Sequence, residues 1–217
     1  MAKYSEAVFG TIRGRVGEGI GVLSKGLKIL KGLSSPSSVP PSLAQLSQRA
    51  IWGLVTPFIS TFTDIINLGW KAAAGSVSKS NTAVSYHIAN AVTGIYPDLK
   101  IDYPKLKFSN VKGTIETVLD PVVTALPGNV LKVTWETIGA PNKNTKLSDL
   151  LVILFYSPEL NRYMSTTQGF IRSDLEMEMQ MSRIFIGKKV HGYLFFMSEN
   201  GKFTSITEYL GEFTPIA

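Results

Sequence analysis

The feature that most constrains the fold is an apolar residue at every second position, repeated in several short segments of the C-terminal half. In "NVLKVTWE" the alternating apolar side chains are Leu131, Val133 and Trp135, and in "LEMEMQM" leucine and methionine alternate with glutamate and glutamine. Successive side chains of a strand point to opposite faces, so this period of two predicts strands with one buried face. The segment "DLLVILFY" is apolar throughout, which is typical of a strand buried on both faces.

Six or seven such segments follow one another from about residue 98, separated by turn signals such as "GAPNKN" and "SENG". They predict an antiparallel β-sandwich over residues 98–217 within an α+β, mainly β chain. The order of segments resembles an immunoglobulin or fibronectin type III module, and a resemblance of fold implies no activity. In "LKIDYPKLKF" the alternation changes phase at Pro104, so we expect an edge strand with a bulge there.

Residues 43–97 have the period of helices. "SLAQ", which starts at Ser42, fits a capping box, and Pro57 predicts a kink or a restart with Thr56 as a second N-cap. A shorter helix is predicted in "SNTAVSYHIANAVTG". The first helical stretch carries one apolar stripe, made of Phe58, Ile59, Phe62, Ile65, Ile66 and Trp70. This stripe is too large to face water, and we expect the sandwich of the same subunit to cover it.

The first 33 residues form a glycine-rich arm, joined to the helices by the Ser/Pro linker "SSPSSVPPS" at 34–42. Residues 9–32 contain seven glycines among 24 positions, with isolated apolar residues between them. This pattern predicts a ribbon of short twisted strands with tight turns at "RGRVGEG" and "SKG". A two-stranded ribbon is marginal alone in water, so it must pack on the helices, on the sandwich or on another subunit.

Positive charge is concentrated in this arm. The formal net charge is +6, and residues 1–32 hold six basic against two acidic side chains. A basic arm can meet nucleic acid, an anionic membrane or an acidic protein surface, or it can simply keep the chain soluble. We favour docking on a neighbouring subunit over nucleic acid, with Phe9, Ile12 and Val16 as the apolar contacts and Arg13 and Arg15 beside them.

Several classes of chemistry are excluded or lack their motifs. The chain has no cysteine, which excludes disulfides and thiolate ligands, and its two histidines make a histidine metal site improbable. The dinucleotide fingerprint fails because Val22 stands where a third glycine must follow Gly17 and Gly19. The P-loop pattern fails because Leu27 follows Gly26. We therefore predict no cofactor and no metal.

The remaining polar groups do not converge on a catalytic set. We expect His191 to be a partly exposed structural histidine at a strand start, and His87 to serve packing or capping of its helix. Glu176 and Glu178 point the same way along one strand, which fits either a carboxylate pair or a solvated face, and we favour the solvated face. The sequence thus predicts that the protein is not an enzyme.

The longer segments resemble a known family. The order "FGTIRGRVGEGIG", "LAQLSQRAIWGLVTPF", "AVSYHIANAVTGIYPDLKIDYPKLKFS" and "GYLFFMSENGKFTSITEYLGEF" is similar to a family of unknown function of Bacteroidota proteins of about this length. Its two most specific pieces are the Q-x-x-Q-R helix start, with Gln45, Gln48 and Arg49, and the segment "SYHIANAVTGIYPDLKIDY". The linker departs from the family, with "SVPPS" where an Asn-Pro-Arg-Thr-like run is expected. The opening also looks like that of small phage virion proteins, and the resemblance implies a structural assembly role with no ligand and no catalytic residue.

These observations predict a structural, self-assembling protein, specifically a virion or phage-like particle component (capsid-associated, decoration, fibre or tail protein). The alternative is a β-sandwich binding module that recognises a glycan or a protein surface. We expect a homo-oligomer, or an assembly with other particle proteins. No leader of about 7–15 apolar residues and no uninterrupted apolar run of about 18 is present. We therefore expect synthesis in the cytoplasm without a signal peptide, incorporation into a particle, and no membrane span.

Overall fold

The computed structural model describes residues 2–3, 10–24, 26–35, 38–70, 77–136 and 141–217. Over this part of the chain the protein is mainly β, with several antiparallel sheets and three α-helices, as the sequence predicts. The chain divides into two compact units, Met1–Ser42 and Leu43–Ala217, and the second contains both the helices and the packed sheets. The elements in chain order are β1 (Ala2–Lys3), β2 (Gly14–Val16), β3 (Gly19–Ser24), β4 (Leu27–Gly32), α1 (Leu43–Thr61), α2 (Thr63–Gly69), α3 (Lys79–Asn90), β5 (Val92–Thr93), β6 (Lys100–Ile101), β7 (Leu119–Leu126), β8 (Val130–Glu136), β9 (Leu150–Ser157), β10 (Arg162–Thr166), β11 (Glu176–Gln180), β12 (Val190–Met197) and β13 (Glu208–Phe213).

The N-terminal unit holds an antiparallel sheet in the order β1–β4–β3–β2. Its turns fall where the sequence places them, and both use a left-handed glycine: Gly17 has φ +56° and Gly26 has φ +76°. The expected two-stranded ribbon is wrong, because the described sheet has four strands. β4 pairs along its whole length with β3 and leaves its other edge for β1.

In the second unit, two antiparallel sheets pack face to face. One has the order β11–β8–β7 and the other β10–β9–β12–β13. The predicted alternation of β8 is confirmed, since Leu131, Val133 and Trp135 are buried between the sheets. Leu151 and Ile153 of β9 meet them from the opposite sheet. The shared core identifies these two sheets as a β-sandwich.

The central strands β9 and β12 of the sandwich's four-stranded sheet are buried on both faces, as the apolar sequence of β9 predicts. The alternate residues Val152, Leu154 and Tyr156 of β9 point away from the sandwich interior and pack against the helices. The helical stripe completes this second core: Phe62 and Ile66 are both fully buried in it. The same subunit therefore covers the stripe, and the unit has three layers, namely helices, four strands and three strands.

Pro57 does not interrupt the first helix, so the predicted restart is wrong. α1 continues through Thr56 and Pro57, and the chain bends at Phe62, where α1 and α2 meet at 83°. Val55 and Ile59 on either side of the proline are buried against the sheet. This burial outweighs the roughly 3 kcal/mol that a proline costs in a helix interior.

Residues 99–108 do not form the predicted strand. Only Lys100–Ile101 is extended in a pair, and a 3₁₀ turn follows at Tyr103–Lys105 because Pro104 cannot donate to a ladder. Leu106 and Phe108 are buried in the core under the helices. The apolar residues alternate here because this loop packs against the helices and the sheet. The first strand of the sandwich is therefore β7.

Candidate functional site

The N-terminal sheet has one face, called the glycine face below, on which aliphatic side chains stand exposed among glycines. Residues paired directly across strands share a face, and here these are Gly14, Val16, Gly19, Gly21, Leu23, Lys28, Leu30 and Gly32. Val16 is 56%, Leu23 41% and Leu30 37% exposed. Among the described residues of this unit only Gly21 is buried. This sheet therefore has no buried side-chain core of its own.

The predicted apolar docking residues lie on this face where the structure describes them. Phe9 lies outside the described residues. Ile12 is half-buried, and a Cβ added to Gly21 would meet its carbonyl group, so Ile12 lies against the glycine face. Val16 stands on the same face at the edge strand β2. The structure thus brings Ile12 and Val16 together.

The predicted basic docking residues are placed differently. Arg13 is exposed and precedes β2. Arg15 alternates with Val16 and so lies on the opposite face, where it is in register with Ile20 and, one strand further, with Lys31. The Arg15 Nε–H donates to the Gly17 carbonyl oxygen at 3.1 Å. Val16 and Arg15 therefore lie on opposite faces of the sheet, although Lys28 belongs to the glycine face and Ile20, Val22 and Ile29 belong to the face of Arg15.

In the second unit, helix α1 carries an apolar row that is longer than the core beneath it. Leu43, Ser47, Ile51, Val55 and Ile59 follow at intervals of four and so lie along one side of the helix. Val55 and Ile59 are buried, but no residue of α1 before Val55 is buried. The 19-residue helix is about 28 Å long, and its first half lies outside the core.

An apolar groove, called the helix groove below, lies between this half of α1, the end of α3 and the β5–β6 hairpin. Its volume is about 620 Å³. No charged side chain lines it, and its aliphatic side chains are Leu43, Ile51, Ile88, Val92, Ile95 and Leu99. Sequence reasoning missed this site; the signal was the apolar row of α1, which starts about four turns before the predicted core stripe.

The hairpin tip holds Ile95 in solvent at the rim of the groove, where it is 85% exposed. The tip is tight: the Asp98 N–H donates to the Ile95 carbonyl oxygen at 2.8 Å, and Gly94 has φ +91°. A Cβ at Gly94 would meet the Asp98 carbonyl oxygen, which leaves no room for a larger residue. Ile95 is therefore a fixed feature of the surface.

The Q-x-x-Q-R residues lie on another side of α1. Gln45, Gln48 and Arg49 line a shallow depression together with Trp52, at the spacing of one helix face. Trp52 is 49% exposed. This stripe combines amide, guanidinium and indole groups, so it presents a polar surface with one aromatic ring beside the apolar helix groove.

A separate cavity, called the loop-end cavity below, lies between the β8–β9 and β12–β13 connections, with a volume of about 400 Å³. Its lining includes Lys143, Lys146, Ser198, Glu199, Asn200 and Phe203. Neither lysine forms an ion pair with any residue in the described ranges. The Asn142 and Asn200 side chains each accept hydrogen bonds from their own loop backbone, which fixes both loops.

A buried ion pair anchors the wall of this cavity. The Arg172 Nε lies 3.5 Å from Asp149 Oδ2, and the guanidinium also donates to the Glu116 carbonyl oxygen at 2.7 Å. Asp149 Oδ2 accepts the Lys146 N–H at 3.0 Å, and Arg172 stacks 3.8 Å above the Phe196 ring. Burial lowers the pKa of Arg172, and Asp149 opposes that shift. The pair holds the β8–β9 connection against the sandwich.

His87 is a packing residue, as expected. It is fully buried; its Nδ1–H donates to the Ala83 carbonyl oxygen at 2.7 Å, and its Nε2 accepts the Lys107 N–H at 3.1 Å. Burial lowers the pKa of His87 to about 4, and the bond to Ala83 opposes the shift. The neutral ring therefore joins α3 to the segment before the sandwich.

His191 is buried, so the expectation of partial exposure is wrong. Its ring stacks on Tyr103 at 4.4 Å, and its Nδ1 lies 2.8 Å from the Tyr209 hydroxyl. The 3₁₀ turn that replaces the predicted strand brings Tyr103 over the histidine. Burial lowers the pKa of His191, and Glu212 at 4.0 Å opposes this.

Glu176 and Glu178 lie on the exposed face of β11, as expected, with Lys132 between them at 2.7 and 3.7 Å. The residues that the structure describes contain no group of three or more His, Cys, Asp or Glu side chains able to hold a metal ion. They also contain no single helix long and apolar enough to cross a membrane.

Residues 11–211 match the family described as "Family of unknown function (DUF6266)", and the chain belongs to this family. The predicted membership of a family of unknown function is thus confirmed. The match includes both units of the structure, from the segment before β2 into β13. No curated protein sequence matches the chain.

Solved structures similar to part of this chain include two human fibronectin type III domains. That of collagen alpha-1(XX) is 9% identical, with 50% of this chain and 91% of that chain covered and a TM-score of 0.36. That of contactin 1 is 11% identical, with 50% and 85% covered and a TM-score of 0.28. A structure described as "Myokine structure" is 10% identical, with 47% and 98% covered and a TM-score of 0.34.

Proposed function

We propose that this protein is a structural protein that assembles with copies of itself through its N-terminal unit. The observation that carries the proposal is the exposed glycine face. Among the described residues, both buried core clusters consist of residues of the second unit, and no side chain of the N-terminal sheet is buried. A sheet without a core of its own needs a cover to be stable in water, and a second copy supplies one.

Within this class we propose a component of a virion or phage-like particle, such as a capsid-associated, decoration, fibre or tail protein. The support for this setting is the small sheet on a Ser/Pro linker, which has the reach that contact with a neighbouring subunit requires; the likeness to small phage virion proteins expected from the sequence is part of the same proposal. Electron microscopy of the purified protein tests it: regular particles or fibres built from smaller oligomers support the setting, and oligomers that never assemble further contradict it.

Size-exclusion chromatography with light scattering tests self-assembly. We expect a mass that is a multiple of 23.7 kDa and falls on dilution. Ile12→Thr with Val16→Thr should lower the mass, because the apolar contact is lost, whereas Arg13→Gln with Arg15→Gln should keep it at low and high salt. A monomer at every concentration, or assembly lost only in the arginine variant, contradicts the proposal.

The second candidate function is an immunoglobulin- or fibronectin-like binding module, and the loop-end cavity favours it. Its two lysines suit a carboxylate, its amides suit hydroxyl groups, and Phe203 offers an apolar ring face, which together fit an acidic saccharide. Glucuronic acid titrated into labelled protein should then shift NMR signals of both loops. Lys143→Gln with Lys146→Gln should abolish the shifts, Lys202→Gln should retain them, and unshifted wild-type signals exclude this function for the cavity.

A further inference from the structure

We propose that the helix groove receives the glycine face of a second copy, so that two copies exchange their N-terminal sheets reciprocally. This inference rests on the proposed self-assembly and adds the surface on which the N-terminal unit docks. Each copy contributes one glycine face and one helix groove to the dimer.

The chemistry of the two surfaces matches. The groove has no charged lining side chain, and Leu43 and Ile95 at its rim are 70% and 85% exposed. On the glycine face, Val16, Leu23 and Leu30 are also exposed, while the chain's own Ile12 lies over Gly21 and Lys28 shares the face. The exposed aliphatic side chains of each surface can therefore cover those of the other.

The area of the contact favours a reciprocal pair over a single docking event. β3 and β4 have six residues and are about 20 Å long, β2 has three residues and is about 10 Å long, and neighbouring strands lie about 5 Å apart. One sheet face therefore covers roughly 250 Å² on each partner, and one contact buries about 500 Å², half of the roughly 1,000 Å² that a specific interface needs. Two reciprocal contacts reach that value.

The linker permits the exchange. Residues 33–42 connect the sheet to Leu43, which itself lines the groove. Ten residues span at most about 33–36 Å when extended. Pro40 and Pro41 favour an extended path over a compact one. Each sheet is thus tethered at the rim of one groove and can reach the groove of a partner that lies alongside.

A complementation experiment tests the contact. Val16→Glu places a charge on the glycine face, and Ile95→Glu places one at the rim of the groove. Leu147→Glu is the matched control, because Leu147 is 57% exposed and belongs to neither surface. Circular dichroism and thermal unfolding check that all three variants fold, and light scattering over a dilution series gives the dimer dissociation constant.

We expect each glutamate variant alone to raise the dissociation constant at least tenfold, or about 1.4 kcal/mol, while Leu147→Glu matches the wild type. An equimolar mixture of Val16→Glu and Ile95→Glu should associate more tightly than either variant alone but more weakly than the wild type, because that pair retains one of the two contacts. An Ile95→Glu variant that dimerises like the wild type, or a mixture that associates no better than the separate variants, overturns the groove as the docking surface and leaves self-assembly standing. A monomeric wild type overturns both proposals.

Cysteine crosslinking identifies the occupant of the groove. The chain has no cysteine, so added thiols are the only ones present. Val16→Cys mixed with Ile95→Cys should give a covalent heterodimer on mild oxidation, since a disulfide requires Cα atoms within about 7 Å. In a chain that carries both Val16→Cys and Ile95→Cys, a disulfide at monomer mass would mean that the chain's own sheet occupies the groove. A Val16→Cys protein that crosslinks only with itself would mean a sheet-to-sheet contact. Either result overturns the proposal.

Discussion

Truncation of Phe62 tests whether the helical layer is part of the same folding unit as the sandwich. Phe62 is fully buried at the bend between α1 and α2. Its ring lies 5.0 Å from Phe108, 5.2 Å from Tyr156 and 5.1 Å from Tyr163, measured between centroids. Phe62→Ala therefore removes contacts to the sheet and to the loop before the sandwich at one point.

The expected loss has two parts. Removing a buried aromatic side chain loses about 2–3 kcal/mol of transfer free energy. A residual cavity of roughly 100 Å³ adds about 2 kcal/mol. The sum of about 4–5 kcal/mol lies at the upper end of measured Phe→Ala substitutions. For a unit of this size it corresponds to a fall of about 10–18 °C in the unfolding midpoint.

Calorimetry or circular dichroism at several protein concentrations measures this effect. Because the sheet of the same subunit covers Phe62, the loss should be the same at every concentration. Trp52→Ala is the matched control: it is an aromatic residue of the same helix, half exposed, and should change stability by less than about 1 kcal/mol. A Phe62→Ala protein that melts normally when concentrated but unfolds on dilution would refute intramolecular packing of the helices.

Two further predictions concern the same layer. Gly69→Ala should destabilise the protein by several kcal/mol, because its Cβ would overlap the Phe108 carbonyl oxygen and lie 2.8 Å from the Ser109 Cα. Gly53→Ala is the matched control: its Cβ meets nothing within 4 Å, so it should stabilise α1 by up to about 1 kcal/mol. Urea unfolding compares the two variants. The free energy of unfolding should fall as pH drops from about 6.5 to about 4. In this range His87 binds a proton in the unfolded chain but stays neutral where it is buried in the folded protein, and this difference costs about 3 kcal/mol of stability. His87→Gln should flatten this slope between pH 7 and 4.5, and an unchanged slope would assign it to other groups.

The strands that could be predicted from the sequence are those whose two faces have different surroundings. β8 and β11 alternate because one face meets the sandwich core and the other meets water. β7 was missed because a register shift at Asp120, which has φ +42°, and Pro121 breaks its alternation. Residues 99–108 have the alternating apolar pattern of a strand, because a loop packed on helices also places alternate side chains inward.

Only part of the two candidate surfaces, the glycine face and the helix groove, could be predicted from the sequence. The apolar and basic residues of the N-terminal sheet were visible as types, but the placement of Val16 and Arg15 on opposite faces depends on strand register, which pairs Val16 with Gly19 and Arg15 with Ile20. The helix groove joins α1 to a hairpin that begins more than 40 residues later. Nothing in the local pattern of "VTGIYPD" indicates that Ile95 is held in solvent beside Leu43.

The register of the N-terminal sheet also accounts for the coexistence of glycines and positive charge in one short segment. β2 is an edge strand, and an exposed edge invites pairing with other chains unless charges protect it. Arg13 and Arg15 supply such charges at this edge, and Val16 stands on the glycine face. In the proposed assembly the glycine face is buried and the arginines stay in solvent, so β2 directs docking to a groove through Val16 and opposes edge-to-edge pairing through Arg15. Under that proposal docking depends on Val16, and the arginines serve specificity.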